Sequence, residues 1–151
     1  MVRAAPDRFF VLAEIVAFCI QRSLAALLER YRTPGGRVQA IGIVAGSGID
    51  PASISNPHIR AHASEGRLFR TTLEQAARRE GLSATTVLER ELYPTLAQAL
   101  RLSSADLRRM VSDIGRPLGA PWGADEKAAA AGAWLALQAG MNSTGTNIDS
   151  K

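Results

Sequence analysis

Lysine is nearly missing from this chain. Of 18 basic residues only Lys127 and Lys151 are lysines, so the net charge of +4 over 14 acids is carried by arginine. The planar guanidinium suits bidentate contact with phosphate or carboxylate, which makes nucleic acid a compatible partner. An Ala- and Arg-rich composition is also what a GC-rich coding sequence produces. Cysteine is represented by Cys19 alone, which excludes an internal disulfide. In its apolar setting Cys19 reads as a buried core thiol, suited to a reducing compartment. Aromatics make up 5%, so the core has to be built from Ala, Leu, Val and Ile. The apolar stretch from Phe9 to Ile20 is too short to span a bilayer and contains Glu14. Arg3 and Arg8 resemble the basic start of a signal peptide, but no clean small-residue cleavage site follows. The expectation is a cytoplasmic protein with no membrane association.

What is present suits one globular domain. Hydrophobic residues are 46% and charged residues 21% of 151, an ordinary balance that argues against disorder throughout. A chain of this length hides about 68–70% of its unfolded surface. Leu12, Ile15, Val16, Cys19, Ile20, Leu24, Leu27, Leu28 and Tyr31 recur at helical spacing, although the start, Phe9 to Val16, could also be a strand. Thr33-Pro34-Gly35-Gly36 ends this element. Val38 to Ala45 reads as a short buried strand running into a turn at Gly46-Ser47-Gly48. Ile59 to Glu80 is helical, with Gly81 as its stop. Thr85 to Tyr93 alternates like a second strand that Pro94 ends. A short helix is expected over Leu96 to Leu102. Ser103-Ser104-Ala105-Asp106 is a capping start for the next helix, and Asp125 opens an alanine-rich helix to about Leu137. Residues 139–151 are polar and expected to be a disordered tail. The expected fold is therefore α/β: a small, partly parallel sheet with helices packed on it, in a single domain over residues 1–138.

Several constellations invite a chemical reading. Gly46-Ser47-Gly48 follows a strand but lacks both the Gly-Lys-Ser/Thr of a phosphate loop and the third glycine of a dinucleotide fingerprint, so a tight turn explains it better. A hydrolase or transferase built on that loop with His58 or His62 would need an oriented triad, and none is visible. His58 and His62 at i, i+4 have the spacing of a metal pair, with Glu65 near the same face. Pro57 confines them to the start of the helix, where ordinary polar residues are the plainer reading. Two-metal phosphoryl chemistry needs several convergent carboxylates. The candidates are Asp50, Glu65, Asp125 and Glu126, each of which could equally be a helix-end or solvated charge.

The order of elements resembles the C-terminal portion of the crossover-junction resolvases, in the ribonuclease-H-like superfamily. The residues that carry the likeness are Leu24-Ala25-Ala26-Leu27-Leu28-Glu29-Arg30-Tyr31 followed by the strand Val38-Gln39-Ala40-Ile41-Gly42-Ile43. The helix Ala61 to Gly81, the strand Thr85 to Tyr93 and the segment Ala105-Asp106-Leu107-Arg108-Arg109-Met110-Val111 come next. Last is Ala124-Asp125-Glu126-Lys127-Ala128-Ala129-Ala130-Ala131, a small-residue helix opened by an acid. The likeness is one of pattern and covers most of this chain but only part of the family fold. The family places one carboxylate at the start of its last helix, where Asp125 stands with Glu126 beside it. Its strand carboxylate falls near Gly42, which has no side chain, and its opening meander has no counterpart, unless Phe9 to Phe18 is a strand and Glu14 stands in.

The resemblance implies a partial ribonuclease-H-like protein that binds DNA or RNA and is related to metal-dependent, structure-specific nucleases, with catalysis impaired by the incomplete acids. The implied acidic site is Asp125, Glu126 and Glu65. If the chain is active, it is a divalent-metal-dependent endonuclease with Mg2+ held at Asp125. Arg67, Arg70, Arg78, Arg108 and Arg109 are the expected phosphate contacts. The competing expectation is a non-catalytic homodimer or larger assembly, in which the apolar 9–31 segment packs on a second copy and an unpaired sheet edge is covered.

Overall fold

The computed structural model describes residues 8–32 and 37–144. Thr33 to Gly36, expected to end the first helix, and residues 145–151 of the expected tail lie outside the described residues. The chain divides into two compact units. One is a pair of helices and the other is α/β.

The helical unit contains α1 (Arg8–Tyr31) and α2 (Pro57–Arg79), packed against each other. Arg8–Tyr31 is helical throughout, so neither a strand over Phe9 to Phe18 nor the associated role for Glu14 survives. Leu24 and Leu28 are buried on α1, one helical turn apart, and Thr72, Ala76 and Ala77 are buried on α2. Arg79 Nη1 donates to Gln21 Oε1 at 2.8 Å across the pair. Asn56 caps α2 by accepting from the His58 and Ile59 amides, and Pro57 sits at the first helical position, where its missing N–H costs nothing. Gly81, at φ +74°, follows the helix in the left-handed conformation that stops it.

Much of α1 is uncovered. Val11, Leu12, Ile15, Phe18, Leu27 and Tyr31 are exposed. Cys19 is exposed too, which corrects its reading as a core thiol: it lies off the Leu24–Leu28 stripe. Because the helix runs on through Tyr31, the stretch Val11–Tyr31 is long and apolar enough, by length and composition, to cross a membrane.

The α/β unit is built on two parallel strands, β1 (Ala40–Ala45) and β2 (Ser83–Leu88), in register from Ala40 opposite Ser83 to Ala45 opposite Leu88. Three helices follow: α3 (Glu89–Leu100), α4 (Ser104–Ile114) and α5 (Ala124–Thr144). α5 packs across both strands, and α3 packs on α4, α5 and the sheet. The core is Val87, Leu92, Leu96, Leu107, Val111, Ala131 and Leu135. Pairs four residues apart on α3, α4 and α5 supply most of it, which is the helical stripe each sequence segment carries. Trp122, packed against this core, donates from Nε1 to the Val111 carbonyl at 3.0 Å.

Two element boundaries differ from expectation. β2 stops at Leu88 rather than Tyr93, and residues 89–100 form one helix with Pro94 inside it. The alternation over Thr85 to Tyr93 competes with a second pattern, Leu92 and Leu96 at i, i+4, and burial of both leucines decides for the helix. Glu89 and Glu91 in its first turn favour that end electrostatically. α5 likewise continues past the expected boundary to Thr144.

Glycine decides how close α5 comes to the sheet. A Cβ on Gly42 would lie 2.1 Å from the Gly132 carbonyl oxygen, and a Cβ on Gly132 would lie 2.9 Å from Val44 Cγ2. Backbone meets backbone at this point, and no side chain fits at residue 42.

Candidate functional site: a cationic recess at the strand ends

The α/β unit has an open recess of about 580 Å³. Gly46, which follows the last residue of β1, and Glu89 and Arg90, which follow the last residue of β2, line it. It therefore lies at the C-terminal ends of the parallel strands, where open α/β sheets place their ligands. Gly123, just before α5, and Ala124, Lys127 and Ala128 at the start of that helix add to the lining. Arg90, Arg108 and Lys127 face one lining carboxylate, Glu89, so the recess is net positive.

Local geometry explains how these side chains arrive together. Tyr93 and Arg108 each follow a fully buried leucine, Leu92 on α3 and Leu107 on α4. One residue further turns a helix by about 100°, so both side chains emerge at the rim of the core where α3 meets α4. There the Arg108 guanidinium stacks over the Tyr93 ring, 4.0 Å from its centroid. Lys127 is four residues before Ala131 and eight before Leu135, and so continues the buried stripe of α5 one turn beyond the core. Lys127 is half-buried and lines the recess. Arg90 contacts the neighbouring Glu91 at 3.3 Å.

The expected site residues fall on different elements. Asp125 is exposed in the first turn of α5 and does not line the recess. Glu126 accepts the Gly123 N–H at 2.8 Å and thereby caps α5. Glu65 belongs to α2 in the helical unit, where its carboxylate meets His62 Nδ1 at 3.3 Å. Among the described residues, no group of three or more His, Cys, Asp or Glu side chains could hold a metal ion. The donors do not fit a two-Mg2+ centre, because one is committed to a helix cap and Gly42 has space for no carboxylate.

Among the expected phosphate contacts, Arg67 pairs with Asp50 at 3.0 Å and Arg78 with Glu74 at 3.6 Å. Arg109 pairs with Asp106. Arg70 is half-buried on α2. Arg108 is the one of the five that lines the recess. Asp106 also accepts the Ser103 hydroxyl at 2.7 Å, and this bond, opposed by desolvation and aided by smaller contributions from Arg109, holds its carboxyl below the ordinary aspartate value. Arg90 and Lys127 escape the sequence reading. Arg90 is hidden by the assignment of residues 85–93 to a strand. Lys127 had a usable signal, a cation on the stripe that Ala131 and Leu135 share.

Comparison with protein-family models, with curated proteins and with solved structures finds no match to this chain.

Proposed function

We propose that this chain binds nucleic acid through its phosphate backbone, with the recess of the α/β unit as the contact site. The observation that carries the reading is the convergence of Arg90, Arg108 and Lys127 at the C-terminal ends of two parallel strands. Guanidinium groups match phosphate oxygens bidentately, while lysine adds a point charge. Arg108 is held in place by the Tyr93 ring, so it loses little freedom on binding. An open recess of this size admits a strand of backbone as well as a single phosphate.

The strand–helix order and the acid-opened α5 support descent from the resolvase-like, ribonuclease-H-like nucleases. In this reading Gly42 has replaced the strand carboxylate with close helix packing. Binding without cutting is the activity we assign, and Mg2+ takes no part in it.

The test is fluorescence anisotropy with labelled single- and double-stranded DNA and RNA over a salt series. Log affinity falls linearly with log salt as counterions are released, and the paired change Arg108→Ala with Lys127→Ala shallows the slope by about 1–2. Equal affinity for inorganic phosphate and for a 20-mer would overturn the nucleic-acid assignment.

The exposed apolar face of α1 favours a second reading, self-assembly. Leu12, Ile15 and Phe18 are each more than half exposed, which a solitary helix face in water does not sustain without cost. Light scattering after size exclusion is expected to show a dimer that Phe18→Asp converts to monomer. A wild-type monomer eliminates this reading and leaves nucleic-acid binding untouched.

A further inference from the structure

We propose that His58 and His62 form a two-histidine clip for a late first-row divalent cation, with zinc as its representative. The pair lies on α2 in the helical unit, and neither histidine is among the residues that line the recess. Because α2 begins at Pro57, both histidines are helical, and one turn separates them on a single face. The Asn56 cap, accepting from the His58 amide at 2.9 Å, fixes the backbone under the first of them.

The two Nε2 atoms lie 3.3 Å apart, with the rings edge to face at 4.6 Å between centroids. A cation about 2.0–2.1 Å from each nitrogen would see them at roughly 105–110°, the tetrahedral range. Glu65 adds an independent feature. Its carboxylate oxygen is 3.3 Å from His62 Nδ1. A carboxylate only accepts, so the contact places the proton on Nδ1 and leaves Nε2 of His62 as the ring nitrogen with a lone pair for a cation. That is the arrangement that orients metal-binding histidines: one nitrogen on the ion, the other donating to a carboxylate. Without the ion, His58 Nε2–H donates to His62 Nε2. Binding through Nε2 requires the neutral His58 ring to carry its proton on Nδ1 instead.

Ligand type sets the selectivity. Imidazole nitrogens suit zinc, nickel and copper, whereas magnesium takes oxygen ligands and surrenders its waters reluctantly. The remaining coordination positions go to water, since no third His, Cys, Asp or Glu joins the pair among the described residues.

The experiment is isothermal titration calorimetry of the full chain with zinc chloride, in a Cys19→Ser background that removes the exposed thiol as a competing ligand. One site is expected. His58→Ala and His62→Ala each weaken it by at least about tenfold, Glu65→Gln weakens it severalfold, and magnesium chloride gives no binding heat. Circular dichroism shows that helicity is retained in each variant. Equal zinc binding by the Cys19→Ser chain and its His58→Ala/His62→Ala derivative, or no zinc binding by either, overturns the proposal.

Discussion

The contact between Gly42 and Gly132 makes a demanding prediction. In Gly42→Ala the new methyl would begin 2.1 Å from the Gly132 carbonyl oxygen and 2.3 Å from its carbon. Ordinary contact needs at least 3.4 Å, so α5 must leave the sheet by more than an ångström. Both obstructing atoms are backbone, and no rotamer change relieves them. Overpacking typically costs 1–3 kcal/mol, and a site that cannot yield belongs at or above the upper end, about 3 kcal/mol. In a unit of fewer than about 100 residues each kcal/mol shifts the midpoint by about 4–8 °C, which gives a fall of roughly 12–24 °C. Trp122 and Trp134, the only two tryptophans, both belong to the α/β unit. Thermal unfolding followed by tryptophan fluorescence therefore reports on that unit alone. Gly66→Ala is the control: its Cβ would meet nothing within 4 Å, and the helical unit gains about 0.5–1 kcal/mol in circular dichroism melts. A loss below about 1 kcal/mol in Gly42→Ala would refute the close-packing argument. It would also reopen residue 42 to a carboxylate.

Other consequences are smaller. Asp106 carries a lowered pKa, so the stability it contributes is present above the ordinary carboxylate range near 3.8 and is lost as pH falls through the lower folded value. Carboxyl carbon shifts should show that midpoint rising towards 3.8 in Ser103→Ala, because the Ser103 hydroxyl is its largest cause. The same change removes the α4 cap, at about 1 kcal/mol by urea unfolding, and an unmoved midpoint would contradict the assignment. Leu107→Ala, at a fully buried site, should cost about 2–5 kcal/mol and lower the urea midpoint with little change in slope.

Helix starts and stops were the most legible features. Ser103 caps α4 by donor–acceptor chemistry local to the chain, and Gly81 marks a stop because it adopts positive φ; Asn56-Pro57, whose sequence reads as loop, proves to cap α2 two residues ahead of the expected start at Ile59. The β2–α3 boundary was misread for an equally local reason. From Leu88 to Leu96, spacings of two and of four both place leucines on one side, and only the partners that bury Leu92 and Leu96 separate strand from helix. That misreading concealed Arg90. The carboxylates were read as a site by analogy, whereas hydrogen bonding commits Glu126 to a cap and Glu65 to His62.

The amino-acid sequence by itself determined the arginine-borne positive charge, the helical stripes, the caps and the order of alternating elements, all of which depend on neighbours within a few residues. Only the tertiary structure decided that Arg90, Arg108 and Lys127 meet at the strand ends and that Asp50, 17 residues away, pairs with Arg67. It also decided that Gly42 lies against the backbone of α5. The reason is physical: charge sign and periodicity are properties of the chain, while convergence and exclusion depend on which buried faces pack together.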